Sequence, residues 1–500
     1  MHEGPLRLRL PQAFLLLVFC LLPLFLFGGE IRAIWVLPWS ITNPNQIDKV
    51  IADALAAGQT DLFVEVRYRS DALYIPNRVP DDYPNPEVRS YILADNGFDP
   101  LDYTLRKAQA QKLRVHAWVV VFNATPTHQS YLQNNYIYRK HYEWITHDSK
   151  GRKMNSGEQF GYFIDPGVPA VQDHVLNVLS DLVSGYPQLD GLHLDYIRYP
   201  SSEWGYHPIS VQRYENYIVQ YGPKSWNQWR TLQITEFVEK IYRQVKKISP
   251  ALIVSAAVFS NYDDATISYA QDWKDWLDRG IVDCLYPMAY HVDLTEFGRQ
   301  LDFMKSLGQD CRFVIGIRAW DANGGSLLPS NHNAFAGYTI NNIFPRIDIV
   351  RSFGFAGVAL FSYDGLIKEN ALAQLAAVSF RHDIIEKVDA ARNDFTIDVT
   401  PSDLEKPFAA DFKVTPSGRQ YVLNLLIPEE GNWFWEIWDK ADKLLFQRNR
   451  YYPRGSVKDF WNGSLNSEIR IDPGAYIVRV YPENGKYQYY IPISLEALNR

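Results

Sequence analysis

The sequence predicts an α/β fold: a (β/α)8 TIM barrel followed by a small all-β Ig-like sandwich. Three observations carry that expectation. From residue 31 to about 380, short apolar or β-branched runs alternate with amphipathic stretches, the pattern of repeated βα units around a parallel sheet. The connections from helix to strand are brief, while three from strand to helix are long. Beyond about residue 394, short alternating runs separated by Pro and Gly turns suit a sandwich.

Eight strand runs are expected, at 32–37, 61–67, 114–121, 191–196, 252–259, 283–288, 312–317 and 357–361. Helical patterns of suitable length fall between and after them, at 44–57, 100–111, 169–184, 225–248, 269–278, 294–306, 338–352 and 367–378. The long connections are 123–165, 200–227 and 319–337. In a (β/α)8 barrel these all lie on the C-terminal face, where active sites are built. The first two hold many rings, among them Tyr131, Tyr138, Trp144, Trp204, Tyr214 and Trp226, which suggests the walls of a groove. In the C-terminal part, strands are expected at 421–426, 433–438, 443–447, 475–480 and 488–493. The domain bounds are then 30–385 for the barrel and 394–500 for the accessory domain.

The chain of 500 residues is 47% hydrophobic and 21% charged, the balance of a folded protein with a large core. A net charge of −7, with no basic run after the first ten residues, argues against nucleic acid as a partner. Aromatic content of 14%, with 14 Trp and 32 Tyr, suits stacking on sugar faces, although packing accounts for most of those rings. Three cysteines make no disulfide framework; Cys284 and Cys311 are read as buried free thiols. Arg7 and Arg9 precede an apolar run over 13–29, so residues 1–29 are read as a signal peptide or an uncleaved membrane anchor. The body is expected outside the cytoplasm, periplasmic or extracellular.

The most informative segment is 189–200. Strand side chains alternate, so His193 and Asp195 share the face opposite Leu192 and Leu194. Asp195 would then stand at the barrel mouth, where a carboxylate can give or take a proton or attack a sugar carbon. Its bland alternative is a buried pair with Arg198 or a strand neighbour. Candidate second carboxylates are Glu65, which shares a strand face with Phe63 and Arg67, Glu203 in the following loop, and Asp364 just past the eighth strand. For Glu65 a salt bridge to Arg67 or Arg69 is an equal reading. Substrate contacts are expected from Trp35, Arg67, His116, Trp118, His193, Arg198, Tyr286, Tyr290 and Tyr363. His116, His193, Asp195 and His291 could in principle gather around a metal, but nothing in their spacing demands it, so no metal and no cofactor is expected. No phosphate-cradling glycine loop and no nucleophile elbow is present.

Taken in order, residues 32–36, 63–74, 97–103, 113–118 and 164–167, the 189–200 segment, Trp229 with Arg230, and 285–290 resemble the glycosyl-hydrolase-like 10 group of bacterial envelope proteins. The resemblance spans nearly all of 31–365 and implies a barrel acting on a polysaccharide, with peptidoglycan strands the leading candidate. A more distant similarity is to family 18 chitinases, which place a general acid Glu at the end of the fourth strand. Ile197 stands at that position here, and His291 replaces an Asp on the sixth strand. The last hundred residues, through 460–463 and 472–476, resemble the Ig-like domain of hook-cap proteins, which implies a packing or glycan-binding role. The leading expectation is a glycosidase in which Asp195 works with Glu65, Glu203 or Asp364. The rivals are a silent glycan-binding envelope scaffold and, more weakly, a deacetylase or esterase.

Overall fold

The computed structural model describes residues 29–368, with breaks at 81, 95–96, 128, 156–160, 292 and 321–341; beyond 368 it describes 371, 372, 375 and the strands and adjoining positions between 409 and 495. Two compact units make up the chain, Met1–Ser379 and Phe380–Arg500.

In the first unit the eight expected strands are present: β1 (Ile31–Val36), β2 (Asp61–Tyr68), β3 (Arg114–Val120), β4 (Gly191–Asp195), β5 (Ile253–Phe259), β6 (Cys284–Met288), β7 (Val314–Arg318) and β8 (Gly357–Phe361). Each pairs in parallel with its neighbours, and β8–β1 and β1–β2 pairing closes the ring. The α/β barrel expectation therefore holds. A two-residue arm, Asp71–Ala72, adds to the top of β2 in antiparallel register.

Local chemistry explains the element starts. Pro44–Ala56 and Pro100–Gln109 begin on a proline, whose missing N–H costs nothing in a first turn, and are capped by Asn43 and Asp99. Trp226–Ile248 opens on a capping box between Ser225 and Gln228. The barrel interior is filled by large rings, and two glycines make room for them. A Cβ on Gly191 would lie 2.1 Å from His116 Nδ1, and one on Gly316 would crowd the Pro287 carbonyl and the Trp35 ring.

Several connections differ from the sequence expectation. The stretch 200–227 contains a fourteen-residue helix, Pro208–Tyr221, which its uneven polarity concealed. The helix expected at 269–278 is two short ones, Tyr262–Tyr269 and Trp273–Asp278, separated by Ala270 in the left-handed region. The 123–165 stretch folds into short helical turns and isolated bridges. The helix expected at 338–352 runs over Ile343–Phe353, and a helical turn at Tyr363–Lys368 precedes the stretch expected at 367–378, most of which lies outside the described residues. Residues 1–28 and the 319–337 connection beyond Trp320 also lie outside them. No described helix is long and apolar enough to cross a membrane.

The second unit is antiparallel β among its described residues. Its strands are β9 (Ala409–Val414), β10 (Tyr421–Ile427), β11 (Gly431–Trp438), β12 (Leu444–Tyr452), β13 (Gly455–Trp461), β14 (Gly474–Pro482) and β15 (Tyr489–Leu495). They form sheets ordered β9-β10-β13 and β12-β11-β14-β15. Trp433, Trp435, Ile437, Trp461, Val478 and Val480 pack together from both sheets.

Candidate active site

Period-two alternation sends Asp61, Phe63 and Glu65 of β2 to one side of the sheet, and the contacts of the first two show that side to be the barrel interior. Three layers follow from this. At the floor, Arg114 clasps Asp61 with two bonds of 2.7 Å, and His116 Nε2 donates to the same carboxylate at 2.9 Å. Burial raises the proton affinity of Asp61, but His116 and Arg114 outweigh it and bring its pKa down to about 2.

The middle layer is closed. Trp35, Phe63, His193 and Tyr286 meet in tilted and edge-on contacts at 4.5–6.0 Å. The Trp35 indole N–H donates to His193 Nε2 at 3.2 Å, which fixes the proton on Nδ1, where it is given to Ser255 Oγ at 2.9 Å. Burial, aided by His116, keeps His193 neutral by pushing its pKa well down. Trp35, His116, His193 and Tyr286, expected to touch substrate, are all at most 2% exposed. They support the site from below, because a narrow barrel fills its axis with whatever large side chains point inward.

The mouth holds the chemistry. Glu65 ends the inward series of β2 and is buried; Asp195 closes β4 and keeps partial exposure. Asp195 Oδ2 accepts the Trp118 indole N–H at 3.1 Å, and Oδ1 accepts the Tyr196 backbone N–H at 2.7 Å. Tyr196 has φ of 52°, an uncommon conformation for a bulky residue, of the kind that collects at functional sites. Burial raises the pKa of Asp195, while Tyr196, Arg198, Trp118 and Arg69 pull the other way. Glu65 is raised well above the ordinary range, first by burial and also by the charge of Asp195, against Arg69. The charge of Asp195 thus bears on Glu65, and burial gives each carboxylate a heightened hold on a proton.

Around them stand rings and guanidiniums. Arg198 lies among Tyr196, Phe259 and Tyr269 at 4.6–4.9 Å from their centroids and donates to the Tyr199 carbonyl. Tyr290 stacks on Phe361 at 5.8 Å, and Trp320, under the Arg318 guanidinium, meets both edge-on. These partly exposed faces can carry pyranose rings.

Other expected residues lie elsewhere. Arg67 does not reach the mouth: its pairing register with β3 slips after Glu65, and the side chain is fully buried on Glu87 at 2.6–2.8 Å, with His174 on the same carboxylate. Such a bulge re-aims a side chain, and no local pattern pairs residues twenty positions apart. The Tyr363 hydroxyl donates to Asp53 at 2.6 Å on the helix Pro44–Ala56. Asp364 accepts Trp39 Nε1 at 3.0 Å and Ser40 Oγ at 2.8 Å on the same oxygen, and burial raises its pKa; its other oxygen is buried without a partner among the described residues. Glu203 is exposed, its backbone N–H bonded to Ser201. No described contact joins Asp364 or Glu203 to Asp195. Ile197 is fully buried, so the position that family 18 chitinases give to their acid faces the interior here. Cys284 is buried, as expected, whereas Cys311 is partly exposed. No group of three or more metal-ligating side chains occurs among the described residues.

Sequence reasoning passed over Arg69, Tyr68, Trp39 and Tyr196 as site residues. Arg69 and Tyr196 themselves sit in the left-handed region, for which non-glycine sequence carries little signal, while Tyr68 ends β2 and Trp39 lies in the turn Pro38–Ser40 after β1.

Residues 30–313 match the family model described as glycosyl hydrolase-like 10. Glycosyl hydrolase DigH of Escherichia coli (strain K12) is 26% identical over 307 residues, which cover 52% of this chain and 65% of that protein. Glycosyl hydrolase YngK of Bacillus subtilis (strain 168) is 24% identical over 299 residues, covering 52% of this chain and 54% of that one. The chain thus spans less than two thirds of the length of either relative. Among solved structures, a β-galactosidase from Rahnella sp. R3 is similar at 13% identity with a TM-score of 0.47, covering 72% of this chain and 57% of that chain.

Proposed function

Because this chain belongs to the glycosyl hydrolase-like 10 family, we propose that it hydrolyses glycosidic bonds of an extracytoplasmic polysaccharide, peptidoglycan first among them, using Glu65 and Asp195 as its catalytic carboxylates. The observation that carries this reading is geometric: Glu65 pairs in register with Trp118, whose indole donates to Asp195, so the two acids stand at the mouth ends of β2 and β4 with one strand between them. Two carboxylates that resist joint ionisation divide the roles: one keeps the proton and the other the charge. Glu65 is the more strongly raised and has no hydrogen-bond donor aimed at it among the described residues, so it is the proton donor to the leaving oxygen. Asp195, with its indole and backbone donors and two nearby guanidiniums, is the ionised partner that acts as base or nucleophile. The apolar run after Arg7 and Arg9 supports export of the body, and the aromatic faces of the mouth support a sugar ligand.

The test is incubation of the purified chain with peptidoglycan sacculi, peptide-free glycan strands, chitin and capsular polysaccharide, with products followed by mass spectrometry. New reducing ends are expected from the wild type, with Asp195→Asn releasing none while melting as a folded protein. Binding to these glycans with no product from any of them would replace the enzyme by a glycan-binding scaffold.

A further inference from the structure

Arg69 follows the last residue of β2 and is held in an uncommon backbone conformation. Its φ is 58°, as is that of Ser70. Two buried groups fix this turn: Arg67 Nη2 donates to Ser70 Oγ at 2.7 Å, and Asn135 Nδ2 donates to the Arg69 carbonyl at 2.7 Å. A strained turn persists only where its surroundings over-determine it, and here the effect is to deliver one guanidinium to the barrel mouth. That guanidinium lies over the ring of Tyr68, the last residue of the strand that carries Glu65, and its charge bears on Glu65, Asp195 and Tyr196.

Its partners are few. Arg67 on β2 and Arg114 on β3 each clasp a carboxylate with two bonds. Arg69 lies over the Tyr68 ring at 5.4 Å and, among the described residues, forms no ion pair and has a buried Nη1 with no hydrogen-bond partner. Arg198 is likewise without an ion pair among the described residues, but three rings and a carbonyl occupy it. A buried donor left unmade is costly, and its presence at a mouth points to a ligand acceptor. Beside Arg69 the surface is ringed. Trp39, 39% exposed and held by its bond to Asp364, meets Tyr68 edge-on at 6.5 Å, and Tyr91 stacks on Tyr131, 41% exposed, at 3.9 Å. Rings accept the C–H face of a sugar, and a guanidinium fork accepts a carboxylate that the sugar bears.

We propose that Arg69 is a specificity-determining residue which binds the carboxylate of an acidic sugar in the subsite adjoining the catalytic pair, with Tyr68 and Trp39 beneath that sugar. This rests on the glycosidase reading for the identity of the pair. The carboxylate could belong to a uronic acid or to a lactyl ether, and the test separates these sources. Binding is measured by calorimetry with the full chain carrying Glu65→Gln, to prevent turnover, with and without Arg69→Gln. The probes are a hexamer of alternating N-acetylglucosamine and N-acetylmuramic acid, an oligogalacturonate hexamer, and the carboxamide form of each. One of the acidic probes should bind about 10- to 100-fold more tightly than its carboxamide, the range of a charge-assisted Arg–carboxylate bond. Arg69→Gln should shrink that gap to about twofold or less and leave carboxamide binding unchanged; Arg69→Lys should keep part of it. The proposal is overturned if neither acid is preferred to its carboxamide, a comparison that needs no Arg69 variant. It is equally overturned if Arg69→Gln weakens acid and carboxamide alike, since Arg69 would then serve only the protein's own carboxylates. An intact preference with no product from the wild type would instead remove the hydrolytic reading and leave this one standing.

Discussion

Two ends of one strand hold the same chemical group in opposite states. Asp61 at the floor and Glu65 at the mouth are both buried inward carboxylates of β2, four positions apart. Asp61 is bonded by Arg114 and His116 and its pKa falls to about 2; Glu65 has no such donor among the described residues and rises. Burial is the largest influence on both, so the difference comes from the partners and not from depth. A paired acid holds the barrel together. An acid left with an elevated proton affinity, beside a second one and an unpaired guanidinium, is arranged for a reaction.

The comparison breaks most visibly at the mouth. Asp195→Asn or Glu65→Gln should cut glycan cleavage by about 10²–10⁴-fold, the usual worth of a general acid or base, with little loss of thermal stability. Removing a member of the paired set should do the reverse. Arg67→Met leaves Glu87 and His174 buried around an uncompensated charge and should cost about 3–5 kcal/mol in denaturant unfolding. At the floor the effect is smaller and depends on pH. The drop of Asp61 from 3.8 to about 2 corresponds to roughly 2 kcal/mol of stability, present above about pH 4 and lost as the pH falls towards 2. Asp61→Asn should therefore flatten the acid limb of a melting-temperature profile. Glu65 has the opposite sign: its raised pKa favours folding at low pH and opposes it as pH rises, so Glu65→Gln should gain stability relative to wild type on the alkaline side. The mildest change is Trp118→Phe, which removes one donor to Asp195 and should lower activity by roughly tenfold, with the basic partner titrating at higher pH.

The same contrast shows what the sequence could carry. Alternation within β4 placed His193 and Asp195 on the inward face, and both point there. It could not tell which inward residues would be sealed: His193, Trp35 and Tyr286 close on one another through contacts between strands far apart in the chain. For β2, alternation put Arg67 beside Glu65, and the slip in pairing with β3 turned it instead towards Glu87. Arg69 was visible only as a neighbour able to neutralise Glu65; its role as an unpaired group rests on a left-handed turn fixed by Asn135 and Arg67 from outside the strand. Periodicity reports which face a side chain takes, whereas charge state depends on partners that only the closed barrel brings together.

Glu65 and Asp195 are expected to titrate as a coupled pair at the mouth. Carbon-detected NMR titration of the glutamate carboxyls, assigned with Glu65→Gln, measures this directly. Glu65 should protonate well above the ordinary value of 4.5, and Asp195→Asn should bring its midpoint down by removing the neighbouring charge. A Glu65 midpoint near 4.5, unmoved by Asp195→Asn, would contradict the account.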